Sequence, residues 1–285
     1  MASDTRELPP KKNETPLLMS FGDHLEELRR YIIRIIAVLF VAFIILFINK
    51  EILFGHIILA PKESTFLTNS FMCQIAQKLD VSALCINKNE LQLINIQLAG
   101  QFTAHILVAL IGAIILAFPF ILWQLWLFVK PGLYAREIQK FKRFIGVSSV
   151  LFFTGVFFAY FIIVPLAINF LGNYKVDESV VNTISLMSFI TSVSLITLAM
   201  GIVFQMPVMV YFFTKIGWLS PELMQKNRKI VFIILLILSA IITPPDVFSQ
   251  LLVVFPLYLL FEISIIISKK HANYATKTKH PEELV

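Results

Sequence analysis

The chain alternates between long uncharged apolar runs and short clusters of charged residues. Six runs contain no Asp, Glu, Lys or Arg, namely residues 35–49, 91–129, 144–174, 179–214, 230–245 and 247–261. A membrane-spanning helix needs about 20 apolar residues, because the hydrocarbon core of a bilayer is about 30 Å thick. The second, third and fourth runs exceed this length and are apolar on all sides, which predicts lipid-embedded helices.

The first, fifth and sixth runs are shorter. The first reaches a spanning length if residues 31–34 are included and the guanidinium of Arg34 extends to the lipid headgroups. Residues 230–245 would extend only about 24 Å as a helix. The fifth and sixth runs are therefore predicted either as short spanning helices or as a re-entrant hairpin. Both alternatives return the chain to the side of the membrane that it left.

Lys and Arg are concentrated on one side of the predicted membrane. Of the 24 in the chain, 19 lie before the first run, between the second and third, between the fourth and fifth, or after the sixth. Cytoplasmic loops of membrane proteins carry an excess of Lys and Arg. The pattern thus predicts that both termini are cytoplasmic. The net charge of +6 then reflects topology, and we expect no nucleic-acid partner.

Composition agrees with an integral membrane protein. Apolar residues make up 58% of the chain and charged residues 15%, against about 45–50% and about 25% in soluble chains. This excludes a disordered tail protein, a disulfide-rich secreted miniprotein and a coiled coil. Residues 1–19 lack the apolar core of a signal peptide and are predicted as a disordered cytoplasmic tail. Residues 20–268 form the predicted membrane domain, and residues 269–285 a second cytoplasmic tail.

The predicted outer loop, roughly residues 50–102, contains both cysteines of the chain, Cys73 and Cys85. Two cysteines on an oxidising face can pair, and a bridge closing such a loop would contribute about 3 kcal/mol in the chain-entropy model. The alternative is two unpaired thiols in a locally packed helical loop. We favour the bridge, because the loop has little apolar core of its own.

One polar cluster lies just before the first apolar run, in the sequence SFGDHLEELRRYIIR of residues 20–34. Ser20 followed by Asp23 is a capping-box pattern, which predicts that a helix begins here. Glu26 and Glu27 are then spaced to pair with Arg30 at i,i+4 and i,i+3, each pair worth about 0.2–0.5 kcal/mol. From composition alone, such a solvated charged face is the favoured explanation.

Two further polar clusters lie between predicted helices. In residues 128–137 a Pro-Gly pair breaks the helix, and Glu137 is the only acid in a loop with five basic residues. Local neutralisation, for example by Lys140, would explain it. In residues 243–250 (TPPDVFSQ), Asp246 either caps the last helix or contacts a partner.

Few polar residues fall at membrane depth. Gln205 could bond a neighbouring helix or a carbonyl freed by the proline that follows it. Glu262 has to reach the headgroups, pair or protonate. Tyr160 and Pro165 are interpreted as structural, a buried hydroxyl and a helix kink. Pro61, in the outer loop, is grouped with these partner or structural positions.

Sequence patterns typical of catalysis are missing. We find no phosphate-binding Gly-rich loop, no His or Cys pair at metal-ligand spacing on a helix, and no Ser–His pair at midplane depth. The sequence therefore predicts no cofactor, no metal site and no enzyme activity.

The three polar clusters together resemble the signature segments of the TatC family, the multispanning receptor of the twin-arginine protein translocase. The matching segments are HLEELRR at His24–Arg30, FVKPGLYAREIQKF at Phe128–Phe141 and TPPDVFSQ at Thr243–Gln250. Shorter matches are FAYF at Phe158–Phe161, FQMP at Phe204–Pro207 and LFE at Leu260–Glu262. The resemblance covers nearly all of residues 17–268 in the family's order.

The resemblance implies an all-α protein with six transmembrane helices in a cupped shape, both termini cytoplasmic and the last two helices short. It implies binding of Ser/Thr-Arg-Arg signal peptides. By motif position, Glu27 and Glu137 would contact the two arginines, with Phe128 in the same loop motif and His24 and Arg29 in the N-terminal motif. Implied partners are single-span TatA- and TatB-type proteins, folded precursors and further subunits of an oligomeric complex. The implied energy source is the proton-motive force.

Two features depart from the family pattern. The outer loop is longer than in many members, and position 205 is Gln where many have Glu. The competing hypotheses are a six-helix secondary transporter of a small solute, whose midplane polar residues would lie within repeats, and a membrane enzyme whose site is assembled from distant residues.

Overall fold

A computed structural model describes residues 21–81, 85–86, 91–129, 135–177, 179, 182–243 and 247–279. For residues 21–24, 129, 135–143, 248–249 and 270–279 it describes the backbone alone. The helices are α1 (Phe21–Ile48), α2 (Leu67–Leu79), α3 (Gly100–Val129), α4 (Ala135–Phe158), α5 (Val164–Asn173), α6 (Leu186–Val203), α7 (Met206–Lys215), α8 (Pro221–Lys226), α9 (Arg228–Ile242) and α10 (Val247–Lys279). The predicted all-α class is confirmed.

Short irregular elements interrupt or connect these helices, in the outer loop and within the third span. Ile52–Ile58 and Ala159–Ile163 are π-helical, and Ala60–Lys62 is a single 3₁₀ turn. Two strands that the sequence pattern did not predict, β1 (Leu93–Ile94) and β2 (Ile184–Ser185), pair in parallel. Each strand is only two residues long, so neither shows the alternation of apolar and polar residues by which a strand is recognised in a sequence.

Within the described residues, five helical segments are long and apolar enough to cross a membrane. They are Leu25–Ile48, Gly100–Phe128, Phe144–Asn173, Leu186–Lys215 and Gln250–Lys269. The short helix predicted in the fifth run is α9, whose 15 residues would extend about 22 Å. The six-span count and the orientation of the termini stay predictions.

The last helix is longer than the charge pattern predicted. The uncharged run ends before Glu262, but α10 continues through it to Lys279. The helix therefore continues past residue 268, the predicted boundary of the membrane domain, into the residues predicted as a cytoplasmic tail. Within the helix Glu262 is paired with Arg228 (Arg228 Nη2 to Glu262 Oε2, 2.8 Å).

The core lies among α3, α4, α6 and α10, whose inward faces hold most of the fully buried side chains. Helix α1 is peripheral: no residue in its most apolar window is buried, and its main contact is with α3. Helix α10 packs against α7 and α9. Exposed apolar side chains on these helices face the space that lipid fills in a bilayer.

Two glycines allow α4 and α6 to approach closely. A Cβ atom at Gly155 would lie 2.7 Å from the carbonyl oxygen of Met200 and 2.7 Å from Cγ of Phe204. A Cβ atom at Gly201 would lie 2.7 Å from Cε2 of Phe152. Small residues are enriched where membrane helices pack backbone to backbone, and here the absence of a side chain on both helices makes the contact possible.

The outer loop is a packed structure held to the third span. Cys73 and Cys85 form a disulfide, not the unpaired thiols of the alternative. Cys73 lies on the helix α2. The fully buried amide of Asn69 donates to the carbonyls of Pro61 (3.1 Å) and Glu63 (2.7 Å). The hydroxyl of Tyr160 donates to the carbonyl of Ile57 at 2.6 Å.

We expect Gly155→Ala to destabilise the protein by about 1–3 kcal/mol, the usual cost of overpacking, because a backbone carbonyl of α6 occupies the space of the new methyl group. The measurement is the denaturant-induced unfolding midpoint in detergent. Gly146→Ala is the matched control, since a Cβ atom there meets nothing within 4 Å. An equal midpoint for the two variants would contradict the assigned role of Gly155.

Candidate functional site

Two adjacent glutamates near the start of α1 have different surroundings. Oε1 of Glu26 accepts a hydrogen bond from Nη2 of Arg30 at 2.8 Å, and both side chains are largely exposed. Oε2 of Glu27 is buried and has no hydrogen-bond partner in the described part of the chain. The predicted pairing of Arg30 with Glu26 is present, whereas a buried carboxylate oxygen without a donor is energetically costly. Of these two glutamates, Glu27 is therefore the one with a buried carboxylate oxygen that lacks a donor among the described residues.

Glu27 lies beside an aromatic corner formed by α1 and α3. Tyr31, one helical turn after Glu27, meets Phe128 at the end of α3 edge to face, with ring centroids 6.4 Å apart. The guanidinium of Arg34 lies 5.7 Å from the Tyr31 ring centroid, within the range of a cation–π contact. The fold thus brings Glu27 and Phe128 to the same end of the α1–α3 pair.

The other residues of the two motifs are placed by the backbone alone. Glu137 is the third residue of α4, which begins at Ala135 soon after α3 ends at Val129. It therefore lies on the same side of the membrane as Phe128, in a helical first turn that favours a negative charge. His24 is in the first turn of α1. The side chains of Glu137 and His24 lie outside the described residues, and the side chain of Arg29 is exposed.

Gln205 lies where the fourth span is broken into α6 and α7. Its Nε2 donates to the carbonyl of Ser148 on α4 at 3.1 Å. Of the two predicted alternatives, the bond to a neighbouring helix is therefore the one that forms. Pro207 lies in the first turn of α7. A proline is tolerated there, because the N–H group that it lacks would have no acceptor within the helix.

Glu262 belongs to a small polar group where the start of α9 contacts the middle of α10. Its Oε2 accepts from Arg228 at 2.8 Å, and its Oε1 accepts from the hydroxyl of Tyr258 at 3.1 Å. Of the three predicted outcomes for this acid, pairing is the one that occurs. Sequence inspection did not identify Arg228, because it lies 34 residues before its partner in the chain. The pairing could have been predicted from the position of Glu262, a single acid near the same end of the membrane as the basic loop of residues 215–229.

The region of Asp246 lies between α9 and α10, and Asp246 itself is outside the described residues. The two helices are tied nearby, because Nε2 of Gln250 donates to the carbonyl of Leu236 at 2.9 Å. Tyr160 lies within the third span, and its hydroxyl bonds the outer loop at Ile57. Pro61 lies in the outer loop, where its carbonyl accepts from Asn69. The fold does not bring these two residues to the α1–α3 corner.

An apolar groove of about 500 Å³ lies between α1, α3, α6 and the π-helical segments. Its walls include Leu46, Gly112, Leu116, Phe161 and Thr197. Leu46 is 19 residues beyond Glu27, which corresponds to about 28 Å along α1. The buried hydroxyl of Ser194 also lines it and has no hydrogen-bond partner among the described residues. The groove can therefore hold an apolar segment with an occasional polar group.

Among the described residues, no group of three or more His, Cys, Asp or Glu is arranged to hold a metal ion. The site residue that sequence reasoning missed is Tyr31, the aromatic partner of Phe128. Its position one turn after Glu27, on the face of α1 that meets α3, was the signal that could have identified it.

The sequence profile of the family described as Sec-independent protein translocase protein (TatC) matches residues 23–256. The Sec-independent protein translocase protein TatC of Blattabacterium sp. subsp. Periplaneta americana is 35% identical over 260 residues, covering 90% of this chain and 96% of that protein. The corresponding protein TatCy of Bacillus subtilis is 32% identical, covering 91% of this chain and 92% of its own length.

A solved structure agrees in fold over nearly its whole length. The crystal structure of the twin-arginine translocase receptor TatC superimposes with a TM-score of 0.64 at 31% identity, and the match covers 86% of this chain and 98% of that one. A second crystal structure of the twin-arginine translocase receptor TatC, in DDM, gives a TM-score of 0.63. The chain therefore belongs to the TatC family: it is a multi-pass membrane protein and a subunit of the Sec-independent protein translocase, a component that is not an enzyme.

Proposed function

We propose that this protein is the receptor and core subunit of the twin-arginine translocase. It binds Arg-Arg signal peptides at the α1–α3 corner and exports folded precursors across the cytoplasmic membrane, using the proton-motive force. The observation that carries the proposal is the contrast between Glu26, which Arg30 neutralises, and Glu27, whose buried Oε2 has no donor among the described residues. The relative solved by crystallography is named a twin-arginine translocase receptor.

The chemistry of the corner suits a guanidinium group. Arginine is planar and always charged, and it can bond a carboxylate through two parallel N–H groups and stack on an aromatic face. Glu27 supplies a carboxylate, and Tyr31 and Phe128 supply aromatic faces beside it. A second arginine requires a second acid, and Glu137 in the first turn of α4 is the candidate on the same side of the membrane.

The two arginines alone do not account for a tight complex. Charge-assisted hydrogen bonds net about 1.5–3 kcal/mol each, so two contribute about 3–6 kcal/mol, whereas micromolar affinity needs about 8 kcal/mol. The remaining 2–5 kcal/mol corresponds to about 80–200 Å² of apolar surface at 25 cal/mol per Å². The apolar stretch of the signal peptide supplies this area.

The groove between α1, α3 and α6 is a suitable place for that stretch. It begins about 28 Å from Glu27 along α1, a distance that an apolar segment of about 9 extended or 19 helical residues spans. Helix α1 offers an open surface along the way, since none of its most apolar window is buried. We propose that the signal peptide lies along the α1–α3 pair and reaches the groove.

The remaining assignments follow from the family and the charge pattern. Both termini lie in the cytoplasm, because 19 of 24 Lys and Arg residues fall on that side of the predicted topology. With α9 as a short crossing, the bilayer thins locally around it. Single-span TatA- and TatB-type proteins associate with the lipid-facing helices, and several copies of the chain assemble in the complex.

The first test is binding of a fluorescent signal peptide to the detergent-purified protein. We expect an Arg-Arg peptide to bind more tightly than a Lys-Lys peptide, because lysine lacks the planar fork. Glu27→Ala should weaken Arg-Arg binding by about 10- to 100-fold, as expected for the loss of one charge-assisted pair of about 1.5–3 kcal/mol. Glu137→Ala should have a similar effect. The measurement is the dissociation constant by fluorescence anisotropy.

Glu26→Ala is the matched control for Glu27→Ala. It removes an acid from the neighbouring position, but one that already pairs with Arg30, so we expect less than a threefold change in binding, as for other exposed pairs worth about 0.2–0.5 kcal/mol. Wild-type affinity in the double variant Glu27→Ala/Glu137→Ala would refute the proposed site. Equal binding of the Arg-Arg and Lys-Lys peptides would refute recognition of the guanidinium itself.

The second test separates the arginines from the apolar stretch. A signal peptide truncated after its arginines should bind at least about 30-fold more weakly than the full peptide, because 2 kcal/mol of apolar contact corresponds to that ratio. The control is a peptide of full length whose apolar residues are replaced by serine. Equal affinity of the truncated and full peptides would show that the arginine site carries the whole interaction.

A further inference from the structure

Helix α2, in the outer loop, has one buried face and one exposed stripe. Asn69 and Ala76 are buried against the rest of the protein. The exposed residues on the opposite side follow helical spacing, namely Leu67, Phe71, Gln74 and Lys78. Leu67 is 70% exposed and Phe71 is 60% exposed. The stripe therefore changes from apolar to polar between the second and third turns of the helix.

The amino-terminal end of α2 is fixed to the third span. The Thr68 hydroxyl donates to the carbonyl of Phe161 in the π-helical segment. The ring of Phe66 stacks on that of Phe161 at 5.6 Å and meets Tyr160 edge to face at 5.5 Å. These contacts assign the start of α2 to the depth of Phe161 in the membrane.

Phe161 lies well inside the third span. The span is 30 residues long, about 45 Å of helix, against about 30 Å of hydrocarbon. Phe161 is about 18 Å before the end of the span at Asn173. With the span centred on the bilayer, Phe161 and the start of α2 lie about 10 Å inside the outer hydrocarbon boundary.

The chain leaves this depth after α2. Leu91 packs against Gly172 near the outer end of the span, where its Cδ2 lies 2.8 Å from the position of a Cβ atom. The path from Phe66 to Leu91 thus rises by about 16 Å along the span. The exposed polar residues Gln74 and Lys78 lie on the second half of α2, towards the part of the chain that returns at Leu91.

The exposed end of α2 is continuous with a surface that faces lipid. Ile162, on the spanning segment beside it, is 41% exposed, and apolar side chains on a spanning helix face acyl chains. Leu67 and Phe71 extend this surface. Lys78 lies one helical turn after Gln74, and its long side chain can extend towards lipid phosphates.

We propose that α2 is an interfacial membrane helix of the outer leaflet. Its first two turns lie among the acyl chains of phospholipids through Leu67 and Phe71, and Lys78 contacts their phosphate groups. The disulfide between Cys73 and Cys85 joins the middle of this helix to the returning chain. The inference concerns lipid contact and is independent of signal-peptide binding.

The test uses the full chain in proteoliposomes of phosphatidylethanolamine and phosphatidylglycerol. The photoreactive amino acid benzoylphenylalanine is introduced at Leu67, Phe71 or Lys78, and acyl-chain adducts are measured by mass spectrometry after irradiation. We expect several-fold more adduct at the first two positions than at Lys78. Equal yields at all three positions, or crosslinks from Phe71 to a second protein chain in place of lipid, would overturn the proposal.

A second measurement needs no substitution. Hydroxyl-radical footprinting of the wild-type protein in nanodiscs compares Phe71, which is 60% exposed, with Tyr174, which is 61% exposed and lies just after the third span. Each oxidation rate is normalised to the rate in the unfolded chain. We expect Phe71 to be protected several-fold relative to Tyr174. Equal normalised rates would place Phe71 in water and contradict the lipid contact.

Discussion

The close contact between α4 and α6 is the constraint on which the rest of the structure depends. Gly155 and Gly201 let the two backbones approach, and the side chains around them, including Phe152 and Met200, are fully buried. Helix α3 packs against both members of this pair. The pair also fixes the π-helical continuation of α4, and with it the outer loop, which bonds to that segment through Thr68 and Tyr160.

The peripheral position of α1 follows from this arrangement. The central helices bury one another, so α1 has little but α3 to pack against, and one stripe of α1 makes that contact. Glu27 and Tyr31 lie on this stripe at its amino-terminal end, where the stripe meets Phe128. Because α1 contacts the bundle along one stripe only, Glu27 lies at the edge of that contact, with one buried carboxylate oxygen. A buried carboxylate oxygen without a donor is costly, and a hydrogen bond from a charged donor would offset that cost.

Much of this organisation could be predicted from the sequence, because the bilayer imposes a length and a polarity that charge gaps reveal directly. The long spans, the cluster at Glu26 and Glu27 and the polar character of Gln205 belong to this class. Other features depend on contacts between residues far apart in the chain. Three outcomes were open for Glu262, and the pairing with Arg228 that decides among them joins residues 34 positions apart in the chain. The strands at Leu93 and Ile184 are too short to show an alternation of polar and apolar residues. The exposed stripe of α2 indicates lipid contact only in combination with the bond from Thr68 to Phe161, which the sequence does not reveal.

The pairing of α1 with α3 has a consequence for biogenesis. The end of α3 at Val129 is synthesised about 80 residues after the end of α1, a delay of roughly 4–16 s at ordinary rates of translation. During this interval α1 has no helix to pack against and must reside in the lipid by itself. Its surface allows this, since it is apolar on nearly every side beyond Arg34. The helix that contributes Glu27 is thus apolar enough to reside in lipid alone, and it can pack against α3 only after the outer loop has been synthesised.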